Sequence, residues 1–313
     1  MHIEAHDLVK SYPSGVRALD GLSLGIRPGE VFGLLGPNGA GKSTAIKVLT
    51  TLARADSGTA MVAGHDVRRH PDRVRRAIGV VAQRSGSDPM ASGRDNLLLQ
   101  GHLYGLRGRS LHRRVRDLLD HFGLADAAGR AVKTYSGGMQ RRLDVALGLV
   151  HRPSVLFLDE PTTGLDPEAR TALWQEITRL STQEQLTILL TTHYLEEADR
   201  LADRLAIVDK GRVVVEGTPD ALKGELRGDA IHVELRDALA GGIVDSLPGV
   251  RDITVEGHRF SARADDGPTA VPVMLAALDR AGIAVATVTV ARPSLDDVYL
   301  RHVGRRYSSG GTS

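Results

Sequence analysis

Nine residues constrain this chain more than any others. Gly36-Pro37-Asn38-Gly39-Ala40-Gly41-Lys42-Ser43-Thr44 follow a short apolar run, Val31–Gly36, and open a helical pattern near Lys42–Leu52. In a strand–loop–helix setting, this spacing is that of a phosphate-binding loop. Its glycines let backbone N–H groups turn inward around phosphate oxygens, and the helix start adds positive potential. Lys42 then reaches the β and γ phosphates of a nucleotide, and Ser43 ligates Mg²⁺. A Gly-rich turn can enter a helix for purely structural reasons, but Lys-Ser at this position argues against that reading.

The surroundings agree with such a loop. Val31–Gly36, Ile78–Ala82, Val155–Asp159, Leu186–Thr191 and Leu205–Asp209 are short and continuously apolar, as strands buried on both faces are. Helical patterns lie between them near Gly93–Tyr104, Leu111–Phe122, Gly138–Val150, Glu168–Leu180 and Tyr194–Ala202. Alternation of this kind predicts an α/β domain with a mainly parallel sheet under helices. Thr59–Val62 and Arg212–Glu216 read as additional or edge strands. Between about Arg84 and Leu124, two helices follow each other with no strand between them, an insertion into the pattern. After Gly224 the character changes. Strands at Ile231–Leu235, Ile253–Glu256, Arg259–Ala262 and Ile283–Val290, with helices near Ala238–Leu247 and Thr269–Arg280, give the order β-α-β-β-α-β. That order suggests a small ferredoxin-like α+β domain. A last helix, Ser294–Val303, precedes a Gly/Ser-rich tail at 305–313.

A second chemical feature is the apolar run Val155-Leu156-Phe157-Leu158 ending in Asp159-Glu160. Paired carboxylates at a strand end are often only a solvated terminus. Downstream of a phosphate loop they read better as a metal and base pair, with Asp159 holding Mg²⁺ and Glu160 deprotonating the attacking water.

Tyr135-Ser136-Gly137-Gly138-Met139-Gln140 then stands ahead of a long helix and shortly before that strand. At this spacing the segment resembles the signature of ABC ATPases, and the resemblance covers roughly residues 1–225. It implies a P-loop NTPase (ABC ATPase) fold with a helical subdomain at about 84–150, followed by an accessory domain at 226–304. It also implies further roles. Tyr12 stacks on adenine, Gln83 senses Mg²⁺ and begins the helical insertion, and Asp166 in Gly164-Leu165-Asp166 lies on the loop crossing a dimer interface. His193 contacts the γ-phosphate. In this family the phosphate loop of one subunit faces the signature of another across two ATP molecules, so Ser136, Gly137 and Gly138 bind the second copy's nucleotide. Tyr135 replaces the common leucine and Met139 the usual glutamine; the Ser-Gly-Gly that touches phosphate is intact. Lys133 to Met139, Arg141-Arg142-Leu143-Asp144 and Pro293 to Leu300 resemble the daunorubicin/doxorubicin-resistance type, whose members energise export through a separate permease.

Bulk properties bound the rest. Aromatics make up 4% of the chain and formal net charge is +2, so a base-stacking surface is not favoured and no nucleic-acid partner is expected. Arg68, Arg69, His70, Arg73, Arg75 and Arg76 form the densest basic stretch, read as a solvated helical face, with contact to anionic lipid or a partner as the weaker alternative. Cysteine is absent and the start carries no secretory pattern, which fits a reducing cytoplasm. No run nears the roughly 18–20 apolar residues of a spanning helix, so a soluble, peripheral subunit on the cytoplasmic face of a membrane is expected. A soluble ABC protein acting on ribosomes or nucleic acid is the competing class, and import competes with export. No catalytic residue is expected in the accessory domain.

Overall fold

A computed structural model describes residues 1–226, 228–236 and 247–304. The tail at 305–313 lies outside them, as does the helix expected near Ala238–Leu247 except for its last residue. The chain divides into two compact units, the first ending at Pro219 and the second beginning at Asp220.

The first unit runs β1 (Ile3–Ser11), β2 (Arg17–Ile26), β3 (Val31–Leu35), α1 (Lys42–Leu49), β4 (Ser57–Val62), β5 (His65–Asp66), α2 (Pro71–Ala77) and β6 (Ile78–Val81). It continues with α3 (Gly93–Leu103), α4 (Gly108–His121), α5 (Gly137–Leu149), β7 (Val155–Asp159) and α6 (Pro167–Glu184). It closes with β8 (Thr187–Thr192), α7 (Leu195–Leu201), β9 (Arg204–Asp209) and β10 (Arg212–Gly217), and α8 (Pro219–Gly224) spans the division. A six-stranded sheet has the order β10-β9-β3-β8-β7-β6. Its pairs are parallel except for the edge strand β10 on β9. Because the pleat sends successive residues to opposite faces, Leu156 and Leu158 join one core while Val155 and Phe157 join the other. The first core is closed by α3 to α6 through Leu97, Leu118, Leu143 and Trp174. The second contains Ile46 and Leu49 of α1 together with Ile3, Leu8, Leu22 and Ile26.

Those last residues belong to an element missing from the sequence reading. β1 and β2 form a four-stranded antiparallel sheet with β4 and β5, in the order β2-β1-β4-β5. Thr59–Val62 is therefore part of a second sheet and not of the parallel one. Bulges hide β1: its register slips between Ala5 and Leu8, and Asp7 takes a positive φ of 49°. Each slip breaks the period-2 alternation by which a strand is recognised. In α2 only Val74 is buried, and Arg73, Arg75 and Arg76 face outward.

The second unit contains β11 (Asp229–Leu235), β12 (Arg251–Glu256), β13 (Arg259–Ala264), α9 (Gly267–Arg280), β14 (Val285–Ala291) and α10 (Leu295–Val303). Its sheet has the order β12-β13-β11-β14 with every pair antiparallel, as a ferredoxin-like sheet would. Met274 and Leu278 of α9 are buried with Ile231, Val233 and Phe260. Ser294 and Asp297 cap α10 reciprocally.

Candidate active site

The loop from Gly36 to Thr44 leaves the carboxyl end of β3 and runs into α1, where open α/β sheets place their ligands. Two of its glycines are required by space. A Cβ on Gly36 would lie 2.4 Å from the Val208 carbonyl oxygen, and one on Gly41, at φ +108°, 2.3 Å from that of Ala18. Lys42, 4% exposed, turns back under the loop. Its Nζ donates to the carbonyls of Gly36 at 2.6 Å and Pro37 at 3.1 Å, and stands 3.5 Å from Glu160 Oε1. Burial pushes the Lys42 ammonium below its ordinary value, and the Glu160 carboxylate offsets part of that push.

A cavity of about 420 Å³ opens over this loop, lined by Tyr12, Val16, Ala18, Asn38, Gly39, Ala40, Gly41, Lys42, Ser43, Thr44, Gln83 and Glu160. Tyr12 is not a strand residue. It sits in the turn after β1, where its N–H donates to Val16 O and its carbonyl accepts from Gly15 N, both at 2.9 Å. One wall is thus an aromatic ring and the other the loop backbone.

At the far end, the two carboxylates of β7 part company. Asp159 Oδ1 accepts from Ser43 at 3.1 Å and from Thr191 at 2.6 Å, which ties β7 to α1 and β8. Glu160 lies just past the strand with φ +46° and is 8% exposed. Its Oε2 accepts from Gln83 Nε2 at 3.2 Å and is 3.2 Å from His193 Nδ1, a contact poorly aligned for a hydrogen bond, since that nitrogen has no partner. One carboxylate therefore collects an ammonium, an amide and an imidazole from three segments. Among the described residues no three His, Cys, Asp or Glu side chains converge as a metal cage. The oxygen pair Ser43–Asp159 suits a hard divalent cation that completes its shell with phosphate and water.

Ser136, Gly137, Gly138 and Asp166 do not line this cavity. Ser136 caps α5 by accepting from Met139 N, and Asp166 caps α6 by accepting from Ala169 N at 2.8 Å. The two helix starts pack together: a Cβ on Gly138 would stand 2.8 Å from that of Ala169. Ser136, Gly137 and Asp166 are exposed.

Two contributors escaped the sequence reading. Thr191, the last-but-one residue of β8, accepts Glu160 N–H through both its carbonyl, at 3.1 Å, and its hydroxyl, at 3.0 Å. Arg141 of α5 donates to the carbonyls of Pro161 at 2.6 Å, Ala82 at 2.7 Å and Asp159 at 3.3 Å. The local signal was a charged pair, Arg141 and Asp144, among the buried residues of the helix.

Residues 19–163 match the ABC transporter family, and residues 217–303 match the C-terminal domain of DrrA1-3-like ATP-binding proteins. Over 308 residues the chain is 46% identical to the daunorubicin/doxorubicin resistance ATP-binding protein DrrA of Streptomyces peucetius, covering 96% of this chain and 92% of that protein. The chain belongs to the ABC transporter ATP-binding family. Within it, the chain is also 40% identical over 311 residues to the Nod factor export ATP-binding protein I of Paraburkholderia xenovorans, covering 97% of each. Among solved ABC cassettes, cbiO1 of Clostridium perfringens, described as part of the transporter complex cbiONQ, superposes with a TM-score of 0.66 at 27% identity, covering 72% of this chain and 91% of that one. A dimeric bacterial cassette, MJ0796, gives 0.63 at 25% identity, covering 69% and 98%. As an ABC exporter-type ATP-binding protein, the chain hydrolyses ATP in the service of transport.

Proposed function

We propose that this subunit binds ATP on the Gly36–Thr44 loop, hydrolyses it with Glu160 as general base, and does so as a pair of copies beneath a separate export permease. The observation that carries the reading is the meeting of Lys42, Gln83 and His193 on the one carboxylate of Glu160, which lines the cavity over that loop.

The loop N–H groups and the start of α1 receive phosphate oxygens, and Lys42 supplies the neutralising charge once it releases the Gly36 and Pro37 carbonyls. Tyr12 offers its ring to adenine. Ser43 and Asp159 would hold Mg²⁺, with Gln83 as a further contact, and the ion would neutralise charge on the β and γ phosphates. Gln83 and His193 then orient the Glu160 carboxylate, which takes the proton from the attacking water, and His193 is placed to contact the γ-phosphate.

Ser136, Gly137 and Asp166 are exposed and, with the half-buried Gly138, form helix starts away from this cavity, which fits them for the nucleotide of a second copy. The permease surface is proposed next to Gln83. Met90, Leu99 and Leu103 are 68%, 57% and 73% exposed, and the last two stand one helical turn apart on α3. Two exposed apolar side chains on one helix face, Leu99 and Leu103, suit a partner. None of the described helices is long and apolar enough to cross a membrane. The kinship with export ATP-binding proteins favours a spanning part in that partner, with this subunit peripheral on its cytoplasmic face. The named relatives are a daunorubicin/doxorubicin resistance protein and a Nod factor export protein, which favours export of a drug, antibiotic or lipid-like molecule.

Glu160→Gln tests the core of this reading. It should keep ATP binding and lose turnover by about 10²–10⁴-fold, the usual worth of a positioned base. Hydrolysis at the wild-type rate by the purified variant would remove Glu160 from that role.

A further inference from the structure

We infer that Arg141 is the positioning residue of the hydrolytic centre: from the helix that begins at the Ser136 cap, its guanidinium sets the backbone of Glu160 and Gln83. The inference rests on Glu160 acting as the base.

The chemistry begins with a buried cation that has unusual partners. Arg141 is 7% exposed, and all three of its hydrogen bonds go to backbone carbonyls. The Asp159 carbonyl belongs to the peptide plane that enters Glu160, and the Pro161 carbonyl closes the next residue. The Ala82 carbonyl belongs to the plane that enters Gln83. A guanidinium is planar, with Nε, Nη1 and Nη2 in a rigid fork, so binding all three carbonyls fixes these planes relative to one another. Gln83 then reaches Glu160 Oε2 at 3.2 Å.

Glu160 needs such a constraint. Its φ of +46° is in the left-handed region, which a residue with a side chain keeps only when its surroundings over-determine it. Arg141 holds the carbonyls on both sides, and Thr191 holds the N–H between them. The same helix grips the other side of Gln83: Asp144, three residues on, accepts from the Ser85 hydroxyl at 2.7 Å. The carrier of Ser136, Gly137 and Gly138 is thereby bonded to the residue proposed to activate water. Positioning through backbone planes also explains why the residue is arginine and not a shorter donor.

The test uses the full chain with Arg141→Met and Arg141→Lys, each in the wild-type and the Glu160→Gln background. Steady-state kcat and KM, a fluorescent ATP analogue's Kd, and single-turnover rates are measured. A displacement near 1 Å of a reacting group costs on the order of 10²-fold, so Arg141→Met should lose about that factor in kcat while Kd stays within about threefold. Arg141→Lys should recover little of it, because one ammonium cannot span three divergent carbonyls. In the Glu160→Gln background neither substitution should add much, since the loss passes through Glu160. A wild-type kcat in Arg141→Lys overturns the proposal. So does a Kd that rises in step with the fall in kcat, or an equal further loss in the Glu160→Gln background; either reduces Arg141 to a structural bolt. Should Arg141→Met fail to fold, Arg141→Lys keeps the charge and most of the volume and decides alone. A fully active Glu160→Gln protein would instead refute the base assignment, whatever Arg141 does.

Discussion

Replacing Gly41 by alanine should disable the phosphate loop without touching a charged group. The new Cβ would meet the Ala18 carbonyl oxygen at 2.3 Å and the Leu19 side chain at 3.2 Å. Neither side can withdraw. Gly211 N donates to Ala40 O at 2.8 Å, and Gly211 O accepts from Asp20 N at 2.9 Å, so loop, β2 and the β9–β10 turn are interlocked. Ordinary contact would require the loop to move by roughly 1 Å, and a shift of that size costs on the order of 10²-fold in rate. Holding alanine at φ +108° adds roughly 1–3 kcal/mol of strain. The assay is kcat/KM for ATP together with the thermal midpoint of the nucleotide-free protein, beside Gly64→Ala as control. Gly64, in the turn between β4 and β5, also has a positive φ, but its Cβ would meet no atom within 4 Å and it does not line the cavity, so only strain should register, in the midpoint. If Gly41→Ala kept kcat/KM within about threefold of wild type, the interlock would not be what shapes the loop.

The remaining expectations concern binding, acid and capping. Tyr12→Ala should raise the ATP Kd roughly five- to hundredfold, as losing one base–aromatic stack does, while Tyr12→Phe stays near wild type; an unchanged Kd in the alanine variant would separate Tyr12 from adenine. His151 stacks on Tyr104 with centroids 3.6 Å apart and donates from Nε2 to Ile78 O, while its buried Nδ1 has no partner. Burial lowers its pKa from 6.5, so the unfolded chain takes a proton more readily. The stability advantage of neutral His151 is full above about pH 6.5 and is lost as pH falls below it. Urea midpoints of wild type and His151→Gln should therefore diverge, with wild type weakening more as the medium is acidified; parallel curves would refute this. Ser136→Ala removes the α5 cap and should cost about 1 kcal/mol in urea unfolding. No change in midpoint would mean that the Ser136–Met139 bond contributes nothing.

The parts of the molecule legible from sequence are those whose signal is local. The parallel strands announce themselves because both faces are buried, so Leu156, Phe157 and Leu158 form an unbroken apolar run. The Gly36–Thr44 loop is legible because its chemistry is carried by residue types at fixed offsets. The antiparallel sheet was lost because β1 spends its pattern on bulges at Asp7 and beyond, which left the Pro13-Ser14-Gly15 turn between β1 and β2 without a recognised strand before it. Arg141 and Thr191 were lost for a different reason. The partners of Arg141 are carbonyls, and Thr191 meets Glu160 through the N–H of Glu160; backbone groups belong to residues of every type, so nothing in the amino-acid pattern marks these contacts. Linear spacing records sequence and not distance, and it was the family resemblance, not the spacing, that assigned the Ser136 segment to a second copy's nucleotide and away from the cavity that Lys42 lines.

Glu160 occupies a backbone position that glycine would accept at less cost, since glycine alone has no side chain to resist a positive φ. That relief would carry a cost in charge: Glu160 Oε1 stands 3.5 Å from the Nζ of Lys42 and both side chains are buried, so removing the carboxylate would leave an ammonium without that counter-ion. Backbone and charge therefore pull this position in opposite directions, within one peptide unit of the strand that supplies Asp159.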